Sequence, residues 1–170
     1  MSTRLSDVSL PIFVQMLTNL SAMLDKAAEF AAAKKIDPKV LLDSRLAPDM
    51  FSLTRQVQLA TDFAKGPTAR LSGIEIPKYP DTETTIEELK QRIATTIAFV
   101  RSADTKAIDD RADVEITVPL AGQQVAFKSR VYFTYMALPN FFFHVTTAYN
   151  ILRENGMDIG KRDFVGRPPV

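Results

Sequence analysis

His144 has the widest chemical repertoire of any side chain in this sequence, and it is the only histidine among 170 residues. An imidazole can serve as a metal ligand, a general base or a proton shuttle, and each role needs partners. The positions four residues away on the same helix hold Asn140 and Ala148. The paired-histidine geometry that creates a zinc or nickel site on one helix face is therefore missing from the sequence.

Three interpretations of His144 follow. The one that its surroundings favour is a histidine at the edge of the core, hydrogen-bonded to a neighbouring helix or to a tyrosine. In the second, His144 lines a pocket that binds a small molecule, and the chain is a hydrolase or a transferase. The residues of this candidate pocket are His144, Asn140, Gln56, Asp62 and Tyr149. In the third, carboxylates complete a divalent metal site around His144, although no cofactor is predicted.

The remaining residue types narrow the chemistry further. The chain has no cysteine, which excludes disulfides, thiolate catalysis and cysteine metal sites. It also lacks the G-x-S-x-G elbow of serine hydrolases, and Gly160-Lys161-Arg162 resembles a phosphate loop only superficially, because the upstream glycines are missing. Whether the protein is an enzyme is therefore open.

Composition indicates one globular domain, residues 1–170, with a core of its own. Hydrophobic residues make up 46% of the chain and charged residues 24%, with a formal net charge of +1. That charge provides no field to attract nucleic acid or an anionic membrane. The start MSTRLSDVSLP lacks the features of a secretory signal, and no apolar run approaches the ~20 residues of a membrane span. We expect a cytoplasmic protein that binds neither nucleic acid nor membrane.

Apolar residues recur at helical spacing in four long segments. The spacing predicts helices over residues 9–35, with Ser9 as the N-cap, over 49–65, with one or two further turns beyond Gly66-Pro67, and over 85–102 and 138–153. Asp37-Pro38 opens a shorter helix, and Thr85 with Glu88 forms a capping box. Residues 103–113 are predicted as a polar link, and 157–170 as a loop and tail.

Alternation of apolar and polar residues from Val114 to Phe127 predicts a β-hairpin, whereas residues 128–137 are ambiguous between strand and helix. The fold class is therefore all-α, a four-helix bundle with a small hairpin inserted before the last long helix. Broad apolar faces that carry Ile12, Met16 and Phe143 indicate that the protein is a homodimer.

Three segments carry a family resemblance, namely ALPNFFFHVTTAYNILRENG, IGKRDFVG and the upstream DSRLAPDMFSLTRQVQLATDFAK. Together with the order of the helices, they resemble an uncharacterised bacterial family of the DinB/YfiT-like superfamily. The resemblance implies a DinB-like bundle of up-down-down-up topology that is often dimeric. It also implies metalloenzyme relatives in the same superfamily, which hold a divalent metal with three histidines and include thiol-dependent transferases and isomerases. This chain lacks the other two histidines, so we expect that it has lost the metal site and that its reaction is unknown.

Overall fold

A computed structural model describes residues 3–167, and the ends of the chain, residues 1–2 and 168–170 of the predicted tail, lie outside it. The described part is mostly helical. In chain order its elements are α1 (Leu5–Lys34), α2 (Pro38–Asp43), α3 (Leu53–Ser72), α4 (Ile86–Arg101), α5 (Thr105–Asp110), β1 (Glu115–Leu120), β2 (Gln123–Lys128), α6 (Ser129–Tyr132), a π-helical turn (Phe133–Ala137), α7 (Leu138–Glu154) and α8 (Lys161–Val165).

The first long helix begins four residues earlier than the sequence predicted. Arg4, in extended backbone, is the N-cap of α1, and the Ser9 hydroxyl donates to the Leu5 carbonyl at 2.8 Å from within the helix. The assignment of Ser9 as the cap was therefore wrong.

Met16 of α1 is 6% exposed and packs in the core of its own chain, so it does not belong to a free apolar face.

The second long helix starts later than predicted and passes through its proline. Residues 47–50 form a turn, in which the Met50 amide donates to the Ala47 carbonyl, and α3 begins at Leu53. Beyond Pro67 the helix continues to Ser72 and ends at Gly73, which has a φ of +73°. A residue with a side chain would be strained at that φ, and its Cβ would lie 2.7 Å from the Arg111 guanidinium carbon.

Capping residues define the ends of α4 and α5. The predicted capping box is confirmed, since the Thr85 hydroxyl accepts from the Glu88 amide and the Glu88 carboxylate accepts from the Thr85 amide, both at 3.1 Å. The polar link predicted after α4 contains the short helix α5, whose N-terminal amides donate to the Asp104 carboxylate. Asp104 is thus an N-cap that the sequence analysis missed.

The predicted hairpin is confirmed as an antiparallel pair in which Ile116 faces Phe127 and Val118 faces Val125. Ile116 and Val118 are buried, and Ala121 and Gly122 make the two-residue turn with positive φ. This turn type matches the right-handed twist of the two strands.

The ambiguous residues 129–137 are helical and lead directly into α7. They end in a π turn, in which the Leu138 amide donates to the Phe133 carbonyl five residues back. Pro139 explains the turn, because it has no N–H and its ring would clash with the carbonyl four residues earlier in a regular α-helix. The Asn140 side chain donates to the Met136 carbonyl at 2.7 Å, which satisfies one group of the widened turn.

The core lies where the long helices meet. α3 packs against α7 and α4, and α1 packs against α4. The inward face of α7 consists of Phe141, Val145, Ala148 and Leu152, which are fully buried. Phe13 of α1 makes an edge-to-face contact with Phe141, with ring centres 4.9 Å apart. The tail, predicted as a loop, forms α8 and packs on α1.

By length and composition, α1 is apolar enough to cross a membrane. In the structure it is a core helix, with Phe13, Leu17, Leu20 and Leu24 fully buried by the rest of the chain. Its apolarity is therefore used in packing and is not evidence of a membrane protein.

Candidate functional site

A cleft of about 770 Å³ lies between the second half of α3, the α3–α4 connection (residues 73–85), the hairpin and the π turn. Its polar lining includes Asp62, Lys65, Arg70, Tyr79, Tyr132 and Asn140. Its apolar lining includes Ile76, Pro77, Val118, Leu120 and Met136. A volume in this range is typical of sites that hold small molecules.

Both walls of the cleft contain an interrupted helix. Pro67 lies within α3 and cannot donate to the Phe63 carbonyl, and Phe63, Gly66 and Pro67 all line the cleft. Around the widened turn, Tyr132 at the end of α6, Met136 in the π turn and Asn140 at the start of α7 also line the cleft, spaced four residues apart. Irregular helical turns of this kind are frequent at functional sites, because they redirect side chains from a rigid element.

Arg92 of α4 organises the charged floor behind the cleft. Its side chain is 3% exposed, and its guanidinium contacts carboxylates of Asp62 at 2.9 Å, Asp81 at 3.0 Å and Glu83 at 3.1 Å. It also donates to the Thr61 hydroxyl at 2.7 Å and to the Pro80 carbonyl at 3.1 Å. A single buried cation thus holds α3 and the α3–α4 connection against α4.

Two further cations complete this ionic cluster. Arg55 lies 2.5 Å from Asp81, and Lys65, which is 5% exposed, lies 2.9 Å from Asp62. The Lys65 ammonium also lies 4.0 Å from the centre of the Tyr79 ring. The carboxylates of Asp62, Asp81 and Glu83 are therefore balanced by the same number of cations.

The two tyrosines of the cleft are suited to donating hydrogen bonds. Burial raises the pKa of Tyr79 and of Tyr132 above the usual value, so both phenols keep their protons at neutral pH. The Tyr132 hydroxyl also accepts a hydrogen bond from Arg70 at 3.2 Å. These groups can orient a ligand, but they are poor bases.

His144 lies at the interface of α7 and α3, where the favoured interpretation of the sequence places it, at the edge of the core and bonded to a neighbouring helix. Its Nδ1 lies 2.8 Å from Oε1 of Gln56, and the Gln56 amide nitrogen donates to the Phe51 carbonyl at 3.3 Å. The amide oxygen thus faces the ring, so Nδ1 carries the proton and donates. His144 is 7% exposed and stacks on Phe63, with ring centres 5.4 Å apart.

The environment keeps His144 neutral. Burial, with a smaller effect of the nearby Arg55 charge, lowers its pKa from 6.5 to about 4. At neutral pH such an imidazole is a weak base.

The three-histidine metal site that the family resemblance implies for its relatives does not fit the donors found here. Among residues 3–167, no group of three histidine, cysteine, aspartate or glutamate side chains could hold a metal ion. The Nδ1 of His144 is already paired with a glutamine amide, and its helix neighbours are Asn140 and Ala148. Three neutral nitrogen ligands cannot be assembled around it from this set.

The five residues of the candidate pocket are not brought together. His144 and Gln56 bond to each other, whereas Asp62 and Asn140 line the cleft and Tyr149 packs against Phe164 of α8, with ring centres 5.7 Å apart. Within residues 3–167, the cleft lining does not include His144, Gln56 or Tyr149. That these side chains bind a ligand stays a prediction.

Sequence reasoning missed Arg92, Arg70 and the tyrosines of the cleft. Arg92 carried a readable signal, because it stands three residues after Leu89 on the inward stripe of α4, where a charged residue needs a buried partner. Gln56 and Gln58 of α3 have polar side chains, yet they are 1% and 4% exposed. These amides can be buried because each makes a hydrogen bond, Gln56 with His144 and Gln58 with Glu83.

Comparisons with known proteins agree with this description. Residues 5–165 match a family described as a domain of unknown function, DUF1993. The chain is also similar to a crystal structure of a DinB family member from Shewanella denitrificans, with 43% sequence identity over 98% of this chain and 94% of that chain, and a TM-score of 0.90. No curated protein matches it. The resemblance to an uncharacterised DinB-like family is confirmed.

Replacing Arg92 with methionine should destabilise the protein by about 3 kcal/mol, because the change removes the buried cation that Asp62, Asp81 and Glu83 share. Urea unfolding at neutral pH measures this loss. The matched control is Arg101→Met on the exposed end of the same helix, which should stay within about 0.5 kcal/mol of wild type. Equal stability of Arg92→Met and Arg101→Met would show that the cluster does not stabilise the fold.

His144 should make the protein less stable in mild acid. Because its pKa is 6.5 when unfolded and about 4 when folded, only the unfolded chain gains this proton between those values. The free energy of unfolding therefore falls as pH falls through this window, by at most about 3 kcal/mol from this group.

The test compares urea unfolding at about pH 7.5 and about pH 4.5 for wild type and for His144→Gln, which can still donate to Gln56 but does not titrate. The variant should lose less stability between the two pH values than wild type does. Equal losses would contradict a neutral, desolvated His144.

Proposed function

This chain belongs to the DUF1993 family, a DinB-like family of unknown function, and on that premise we propose that it binds a small organic molecule in its cleft. The observation that carries the proposal is the cleft itself, which joins an apolar wall to a wall of fixed hydrogen-bond donors. Sites with a mostly apolar lining and a few placed polar groups are typical of small-molecule binding.

The chemistry of the lining favours binding over hydrolysis or group transfer. Burial raises the pKa of Tyr79 and Tyr132, and Asp62 and Asp81 each pair with two cations. The enzyme alternative centred on His144 needs a base, whereas that imidazole has a pKa of about 4 and bonds to Gln56.

The proposal includes the finer features that the sequence predicted. The long helices form the up-down-down-up four-helix bundle of DinB-like proteins, and residues 1–170 make one domain. The protein has lost the three-histidine metal site of its relatives. It works in the cytoplasm and binds neither nucleic acid nor membrane, which is consistent with its net charge of +1.

We also propose that the protein is a homodimer. Phe51 and Phe143 support this, since each is 55% exposed and both adjoin the buried Gln56–His144 pair. Exposed aromatic side chains of this size are enriched at protein interfaces. Ile12 of α1 is only half-buried and adds to the apolar surface.

The cleft should bind the neutral fluorescent probe N-phenyl-1-naphthylamine. In Met136→Trp the larger side chain occupies part of the cleft and should weaken binding at least about fivefold, because less of the probe can be buried. Met50→Trp, at a half-buried methionine outside the cleft lining, is the control and should bind as wild type does. Failure of the wild type to bind, or equal binding by the two variants, would refute the cleft as a ligand site.

Light scattering at micromolar concentration should return a mass about twice 18.9 kDa for the wild type. Phe143→Glu should shift it towards the monomer, because a carboxylate would be buried without a partner at the interface. Ile74→Glu, at an exposed residue after α3, should leave the mass unchanged. A monomeric wild type would rule out the dimer.

A further inference from the structure

The cleft carries two charged groups that the ionic cluster does not use, Arg70 and Lys78. Among residues 3–167, no carboxylate oxygen lies within 4.0 Å of a side-chain nitrogen of Arg70 or Lys78, and both residues line the cleft. Arg70 is half-buried on α3, and Lys78 is exposed in the α3–α4 connection. The cleft therefore has positive charge beyond what its own carboxylates balance.

Local packing holds the Arg70 guanidinium in place. Its Nη1 donates to the Tyr132 hydroxyl at 3.2 Å, and its central carbon lies 5.8 Å from the centre of the Tyr132 ring. Gly66, one turn earlier on α3, leaves room for the guanidinium, because a Cβ at that position would lie 2.9 Å from Nη1. Arg70 is thus fixed in orientation while most of its N–H donors have no protein partner among the described residues.

The two carboxylates in the lining do not cancel this charge. Asp62 lies between Arg92 and Lys65, and Asp81 lies between Arg92 and Arg55. Each is already neutralised by contacts of 3.0 Å or less. A negatively charged ligand beside Arg70 would therefore be attracted by Arg70 and Lys78, and the neutralised carboxylates of Asp62 and Asp81 would not repel it.

We propose that Arg70 is the anchor for an oxyanion, and that the cleft takes small organic anions with an apolar body. The planar guanidinium pairs with a carboxylate or a phosphate through parallel N–H donors. The apolar body lies against Ile76, Pro77, Leu120 and Met136, and Lys78 at the mouth adds attraction. This inference rests on the proposed function and names the ligand class of the same cleft.

A pair of probes with nearly the same body separates the anchor from the cleft. 8-Anilinonaphthalene-1-sulfonate carries an oxyanion, whereas N-phenyl-1-naphthylamine has the same ring system without it. In Arg70→Gln the anionic probe should bind about tenfold more weakly, since a charge-assisted hydrogen-bond pair is lost. The affinity for the neutral probe should change less than about twofold, because the apolar surface that it buries in the cleft is unchanged. Arg101→Gln, an exposed arginine on α4, is the matched control and should affect neither probe.

Arg70→Lys is the second variant. It keeps the positive charge and still tests the anchor if Arg70→Gln does not fold. It should bind the anionic probe with intermediate affinity, because an ammonium lacks the planar fork. If Arg70→Gln and Arg70→Lys both bind the anionic probe as wild type does, while the neutral probe still binds, the anchor is wrong and the cleft proposal stands. If neither probe binds the wild type, both proposals fail.

Competition then identifies the source of the oxyanion. Displacement of the anionic probe by 4-phenylbutyrate supports a carboxylate ligand, and displacement by phenyl phosphate supports a phosphate ligand. The neutral analogue 4-phenyl-1-butanol should compete at least about tenfold more weakly than 4-phenylbutyrate, because it lacks the charge that Arg70 binds. Equal competition by the alcohol and the acid would overturn the anchor.

Discussion

The buried guanidinium of Arg92 is the constraint on which the cleft depends. A charge that is 3% exposed has lost its water, so carboxylates and carbonyls must replace that water around it. The acceptors come from α3 and from the α3–α4 connection, which has no regular secondary structure. The connection is consequently held in one position by ionic contacts with α4. Tyr79, carried by that connection, then forms part of the cleft wall.

Two prolines provide the second constraint, and both act through the same missing donor. Pro67 interrupts the hydrogen bonds of α3, and Pro139 forces the π turn before α7. In an uninterrupted helix, these walls would present regular surfaces that pack against a neighbour. Here the interruptions border the cleft, and the side chains of Tyr132, Met136 and Asn140 are presented to it. The cost of the irregular turn is partly offset by the bond from Asn140 to the Met136 carbonyl.

His144 shows how an environment removes the chemistry that a residue type suggests. An imidazole that is desolvated, stacked on Phe63 and bonded to Gln56 stays neutral and engaged. Its role is to join α7 to α3 with a satisfied buried hydrogen bond. The chain is DinB-like in family and structure, yet the polar groups of its cleft include Arg70, Tyr79 and Tyr132, and His144 lies outside the cleft lining.

The sequence by itself determined the mostly helical fold, the hairpin, the capping box at Thr85 and the inward stripe of α7, because these depend on local spacing and on capping chemistry. It also determined that His144 lacks helix neighbours able to share a metal. Only the tertiary structure decided which polar side chains meet. Asp62 pairs with Arg92, 30 residues away, Gln56 bonds to His144, 88 residues away, and Tyr149 faces α8 instead of the cleft. Such contacts depend on how the helices are rotated against each other, and no spacing within one segment records that rotation.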